Sequence, residues 1–250
     1  MAGENAALVL ALFIGISLGA LGSGGSIVTL PILVYVAGVA PKSAVGMSMA
    51  IVGGTSFLGS YFHWRSGNFV PKAALLFSAT GILGAYLGSI GTHLVSSSVL
   101  MLSFSLLMLI VGALMLSGKQ SVSASNATCS PYRCIPAGFV VGLVTGFLGV
   151  GGGFLIVPAL VWFAGLDAKR AIGTSLGIIA VNSAAGLAGQ LHYTQWDWSL
   201  TGKFVVCSLI GMGLGIPIAR RAPERALRKA FAVVVLTVAV SIGWQLLGHR

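Results

Sequence analysis

Apolar residues dominate the chain in long unbroken runs, at 43–62, 73–92, 97–117, 171–191, 199–219 and 229–247. Each run approaches the roughly 20 residues that cross a bilayer as a helix, whereas barrel strands would alternate over about 10 residues. The pattern predicts an all-α polytopic membrane protein. Two further apolar stretches, 7–38 and 135–165, are interrupted by glycine clusters and predict short or re-entrant helices instead of simple spans.

These two interrupted stretches are copies. At a fixed offset of 127, "GISLGALGSGGSIVTLPILVYVAGVAPKSAVGMS" (15–48) lies over "GLVTGFLGVGGGFLIVPALVWFAGLDAKRAIGTS" (142–175) without a gap, with 15 identities in 34 positions. The polar stretch 117–134 separates the copies, giving a first repeat at 1–117, a linker at 118–133 and a second repeat at 134–250. Each repeat holds three clear spans after its glycine-broken hairpin, and an odd number of crossings predicts that the second repeat is inverted relative to the first.

Composition sharpens this picture. Hydrophobic residues make up 56% of the chain and charged residues 7%, against about 25% charged in a soluble domain. The formal charge is +10, from 14 Lys and Arg against Glu4, Asp167, Asp197 and Glu224, all near segment ends. The basic residues are spread over short loops, which argues for topology signals and against a nucleic-acid surface. Placing 220–229 in the cytoplasm puts 63–72, 118–133 and 167–170 there too, with 11 of the 14 basic residues, and leaves both termini periplasmic. The cysteines Cys129, Cys134 and Cys207 make no framework; Cys129 and Cys134 read as loop thiols and Cys207 as small packing.

The glycine clusters carry the candidate chemistry. Adjacent glycines free backbone N–H and C=O groups that lipid cannot satisfy, so Gly22, Ser23, Gly24, Gly25 and Ser26, and Gly149, Gly151, Gly152 and Gly153, are expected to line a protein-enclosed site. The helices they open would present N–H groups and a positive dipole end to an anion. Gly15, Gly19, Gly142 and Gly146, spaced by four, read as helix-packing positions. No G-K-[ST] follows either cluster, which argues against a nucleotide site.

Polar residues inside spans supply side-chain candidates. Ser48, Thr174, Ser175 and Asn182 are expected to donate to oxyanion oxygens, with Thr55, Ser56 and Ser183 on related positions. Lys42 and Lys169 open matched spans and, with His63 and His192 at matched span ends, are candidates for gating or coupling. No nucleophile–base spacing, metal cluster or cofactor motif is present, so neither catalysis nor a cofactor is expected.

The repeated phrases "GALGSGGSIVTLP" and "GFLGVGGGFLIVP", each followed by "KSAVGMS" or "KRAIGTS", resemble the TauE/SafE family of sulfite exporters over essentially the whole chain. The resemblance implies secondary transport of sulfite, thiosulfate or an organosulfonate such as sulfoacetate across a bacterial inner membrane. It implies an anionic substrate and the lipid bilayer as partners, and leaves open a coupling proton or sodium ion and a homo-oligomer. A passive anion channel and a non-transporting interaction subunit are the alternatives.

Overall fold

The computed structural model describes residues 2–21, 25–116, 130–191, 193, 197–221, 233, 236–240 and 242. The described residues are helical throughout, with short connections. In chain order the helices are α1 (Ala2–Leu21), α2 (Ser26–Pro31) with a π-helical turn at Ile32–Val36, α3 (Pro41–Arg65), α4 (Pro71–Leu94), α5 (Ser97–Leu116), α6 (Pro131–Leu148), α7 (Gly153–Ala164), α8 (Ala168–Gln190) and α9 (Trp198–Arg221).

Local sequence sets the helix starts. Pro41, Pro71 and Pro131 occupy the first turns of α3, α4 and α6, where a missing N–H costs nothing. Asp167 Oδ1 accepts the Arg170 N–H at 3.0 Å and Asp197 Oδ1 accepts the Leu200 N–H at 2.9 Å, so both loop carboxylates cap helices. Pro31 ends α2, and the chain continues as the π-turn, since proline removes a helical donor and crowds the preceding turn.

Among the described residues five helices are long and apolar enough to cross a membrane: Pro41–Arg65, Pro71–Leu94, Pro131–Leu148, Lys169–Gln190 and Trp198–Gly215. Four match runs anticipated from the sequence. The fifth is the first arm of the second glycine-broken hairpin, which is therefore a helix of spanning length followed by a short one. The run at 229–247 lies largely outside the described residues. Large apolar side chains such as Phe57, Leu75, Leu83 and Leu106 are exposed on the outer faces, as a lipid-facing surface requires.

Packing follows the repeat. α4 and α6 run parallel along a glycine seam in which Gly138 faces Phe77, Gly142 faces Gly81 and Gly146 faces Ala85. α1 and α9 form the corresponding parallel seam, with Gly15 on Ser208, Gly211 on Leu12 and Gly215 on Ile16. Shifting by 127 converts the contacts of Gly84 with Phe139 and Gly88 with Leu143 into those of Gly211 and Gly215. Backbones touch here because no Cβ intervenes.

The equivalent helices α3 and α8 instead cross antiparallel: Met49 packs on Gly186, Gly53 on Ser183 and Gly59 on Leu176. The crossing falls near the middle of both helices. These directions bring Arg65, Lys72, Arg133, Lys169 and Arg170 to one end of the bundle, here the basic end. Lys42, His93 and Asp197 lie at the other.

Cys134 departs from the expected loop thiol. It is fully buried near the start of α6 and disulfide-bonded, its partner lying outside the described residues.

Candidate functional site

The break between α6 and α7 is built by glycines in conformations other residues avoid. Gly149, Gly151 and Gly152 have φ of 67°, 64° and 73°. Space forbids a side chain as well: a Cβ at Gly149 would lie 2.7 Å from Val45 Cα, and one at Gly152 would lie 2.7 Å from Thr145 Cβ. The turn is closed by the Gly149 and Val150 N–H groups donating to the Thr145 carbonyl at 2.9 and 3.3 Å. Leu155 and Ile156 then donate to the Gly152 carbonyl, which leaves the N–H groups of Gly153 and Phe154 ahead of these first bonds of α7.

This break rests on α3. Gly149 meets Val45 and Gly151 meets Val52, and Ser48 shares that helical face between them. The Ser48 hydroxyl is completely buried and has no hydrogen-bond partner among the described residues. In the first copy, Gly22, Ser23 and Gly24 lie outside the described residues. Gly25 is packed against α1, where its Cβ would sit 2.7 Å from the Ile14 carbonyl oxygen, and Ser26 is buried beside it.

A second set of unmet groups lies at the α3/α8 crossing. Ser56 Oγ, Asn182 Oδ1 and Ser183 Oγ are buried without partners among the described residues, and their residues are at most 3% exposed. A Cβ on Gly53 would lie 2.9 Å from Ser183 Cβ, and one on Gly81 of α4 would lie 2.7 Å from both polar atoms of the Asn182 amide. Thr29 Oγ1 in α2 is likewise buried and unmet. Buried polar atoms are paired in the great majority of cases, so this group needs an explanation beyond packing.

Other anticipated donors are already engaged. Thr174 Oγ1 accepts the Val70 N–H at 3.0 Å and thereby fixes the turn into α4. Ser175 donates back to the Ile172 carbonyl at 2.8 Å, and Thr55 to the Ile51 carbonyl at 2.8 Å. Lys169 is exposed at the basic end. Lys42 is partly buried and donates to the His93 carbonyl oxygen at 3.3 Å, so the two matched lysines occupy different settings. His63 is partly buried with Nδ1 unmet, and His192 lies outside the described residues.

Sequence reasoning missed His93 and Gln190, which bond to each other at 2.7 Å across the two repeats. The available signal was the uninterrupted offset: 63 plus 127 is 190, so Gln190 and not His192 matches His63.

An apolar cavity of about 500 Å³ lies between α4, α5 and α6, lined by residues including Leu87, Leu106, Leu143 and Phe147. Its lining suits hydrocarbon and not an anion.

Helices of spanning length and apolar outer surfaces define a multi-pass helical membrane protein, and polar groups buried between its two repeated units are the candidate site. Comparison with known proteins makes the class specific. The family described as "Sulfite exporter TauE/SafE" matches residues 7–242, and the chain belongs to this family of membrane transporters. A "Probable membrane transporter protein" of Xylella fastidiosa (strain Temecula1 / ATCC 700964) is 37% identical over 242 residues, covering 93% of this chain and 92% of that protein. "Probable membrane transporter protein YdhB" of Bacillus subtilis (strain 168) is 26% identical, covering 94% of this chain and 97% of its own length. "Sulfite exporter TauE/SafE family protein 5" of Arabidopsis thaliana is 30% identical over 97 residues, 38% of this chain and 22% of that protein. No solved structure matches the chain.

Proposed function

We propose that this transporter moves a small sulfur-containing oxyanion, such as sulfite, thiosulfate or an organosulfonate like sulfoacetate, across a bacterial inner membrane by alternating access. The repeats 1–117 and 134–250 are inverted with respect to each other, and the linker 118–133 and the basic end face the cytoplasm. The antiparallel crossing of α3 with its equivalent α8, and the parallel pairs α4/α6 and α1/α9, support inversion: equivalent helices in the two repeats run in opposite directions. The gathering of Arg65, Lys72, Arg133, Lys169 and Arg170 at one end supports the orientation, with both termini periplasmic.

The observation that carries the reading is the set of buried hydroxyls on α3 and α8 left unmet among the described residues: Ser48, Ser56 and Ser183. A hydroxyl left unbonded in an apolar interior costs free energy, and an oxyanion is the kind of guest that recovers it by accepting several short bonds. The serine hydroxyls are neutral donors, the unmet Asn182 Oδ1 accepts and suits a protonated oxygen of the guest, and the first N–H groups of α7 add backbone donors at the glycine break. Ser23, Ser26 and the other members of the first glycine cluster complete the site in this reading, as do Thr174 and Ser175 in a supporting role.

Counterflow in proteoliposomes tests it. Protein loaded with unlabelled sulfite, thiosulfate or sulfoacetate is expected to accelerate entry of the labelled anion, with saturation. Absence of counterflow for all three rejects the substrate class, and a flux that never saturates favours a channel.

A further inference from the structure

The end of the bundle away from the basic residues is held by a cluster that joins the two repeats. Gln190, fully buried in the last turn of α8, donates through Nε2 to the Ser89 carbonyl of α4 at 3.0 Å. That bond turns its Oε1 toward His93, 2.7 Å from the imidazole Nε2. An amide oxygen only accepts, so in this arrangement the Nε2 carries a proton and His93 donates. The Tyr193 ring stacks on the imidazole with centroids 4.5 Å apart, and Lys42 from the first turn of α3 donates to the His93 carbonyl at 3.3 Å.

The matching place in the first repeat is position 63, at the basic end. There His63 Nδ1 is buried with no partner among the described residues. One position of the repeat is thus bonded at one mouth and orphaned at the other. An orphaned buried nitrogen raises the free energy of this arrangement, and a second arrangement that satisfies it at the expense of the opposite mouth lies within reach of one or two hydrogen bonds.

Resting on the alternating-access reading, we propose that His93 and Gln190 form the gate tie of the non-basic mouth. The bond breaks when α4 and α8 part to expose the site to that face, and His63 gains a partner as the basic mouth closes. Both are positioning residues: they bias which mouth is shut and do not touch the anion.

The test is sided access to the site. A reporter cysteine, Ser183→Cys in a background in which Cys129, Cys134 and Cys207 are replaced by serine, is labelled with a membrane-impermeant maleimide in intact spheroplasts and in inside-out vesicles. Loss of the tie in Gln190→Ala is expected to raise labelling from the spheroplast side about fivefold, the factor one net hydrogen bond is worth, and to lower it from the vesicle side. His93→Phe, which keeps the stack on Tyr193 but removes the donor, is expected to do the same and serves if Gln190→Ala fails to fold. Thr92→Ala removes a 2.8 Å bond to the Phe147 carbonyl at the same end, within the α4/α6 seam, and is expected to leave the ratio unchanged.

Equal gains on both faces for Gln190→Ala, or an unchanged ratio, overturn the gate while leaving transport standing. No labelling from either face in any variant overturns alternating access itself, and the gate with it.

Discussion

The glycine seams of α4/α6 and α1/α9 and the crossing of α3 with α8 are all made from small residues, yet they do opposite things. In the seams, facing backbones meet, and among the described residues no buried side-chain polar atom there is unmet: Gly142 lies on Gly81, and Gly211 on Leu12. At the crossing, small residues also let the helices approach, but the space holds hydroxyls and an amide with unmet atoms. Small residues therefore close the packing where the neighbour is backbone, and leave polar atoms unmet where the neighbour is a polar side chain.

Replacing glycine in a seam gives the largest expected effect. Gly142→Leu is expected to cost more than about 4 kcal/mol, since the side chain has only the α4 backbone to enter. Thermal unfolding in detergent and monodisperse yield read this out; a normal melting temperature would show that the seam is not closed backbone to backbone. Gly211→Leu sharpens the point, because the matched seam is expected to fail in the same way.

The glycine break falls next. Gly151→Ala meets both a φ of 64° and Val52, and is expected to destabilise by about 2 kcal/mol. Gly54→Ala, with only Val205 nearby at 3.7 Å, is the tolerated comparison in the same melting assay.

Smaller effects come from the engaged hydroxyl of Thr174. Thr174→Val removes the acceptor for the Val70 N–H and is expected to lower stability by about 1 kcal/mol. The crossing is expected to respond with the opposite sign: Ser183→Ala or Ser56→Ala deletes an unmet group and should raise ligand-free stability, by about 1 kcal/mol or less. The same variants should lose the thermal shift given by the bound anion. A drop in ligand-free stability would mean that these hydroxyls are structural, and the contrast between seam and crossing would fail.

Much of the architecture is legible in the sequence. Apolar runs of spanning length left helices as the chain's solution, and the duplicated phrase separated two units. The four-residue spacing of Gly15, Gly142 and Gly146 also announced packing correctly, since helical periodicity puts such residues on one face whatever they touch.

The site was legible only in outline. Thr174, Ser175 and Asn182 looked equivalent in the sequence, yet the first two spend their hydroxyls on the backbone and the third has an unmet atom. Which partner a hydroxyl finds depends on the loop or helix brought against it. The Val70 N–H that occupies Thr174 lies 104 residues away.

By itself the sequence determined the helices, the repeat and the residues confined to helix ends, because hydrophobicity, glycine and charge act locally and bilayer thickness sets their scale. Only the tertiary structure decided that Gln190 is bonded while His63, at the same place in its repeat, is not. That outcome depends on which side chains of the other repeat are brought against each helix end, and pairings between residues about 100 positions apart are not written in either repeat alone.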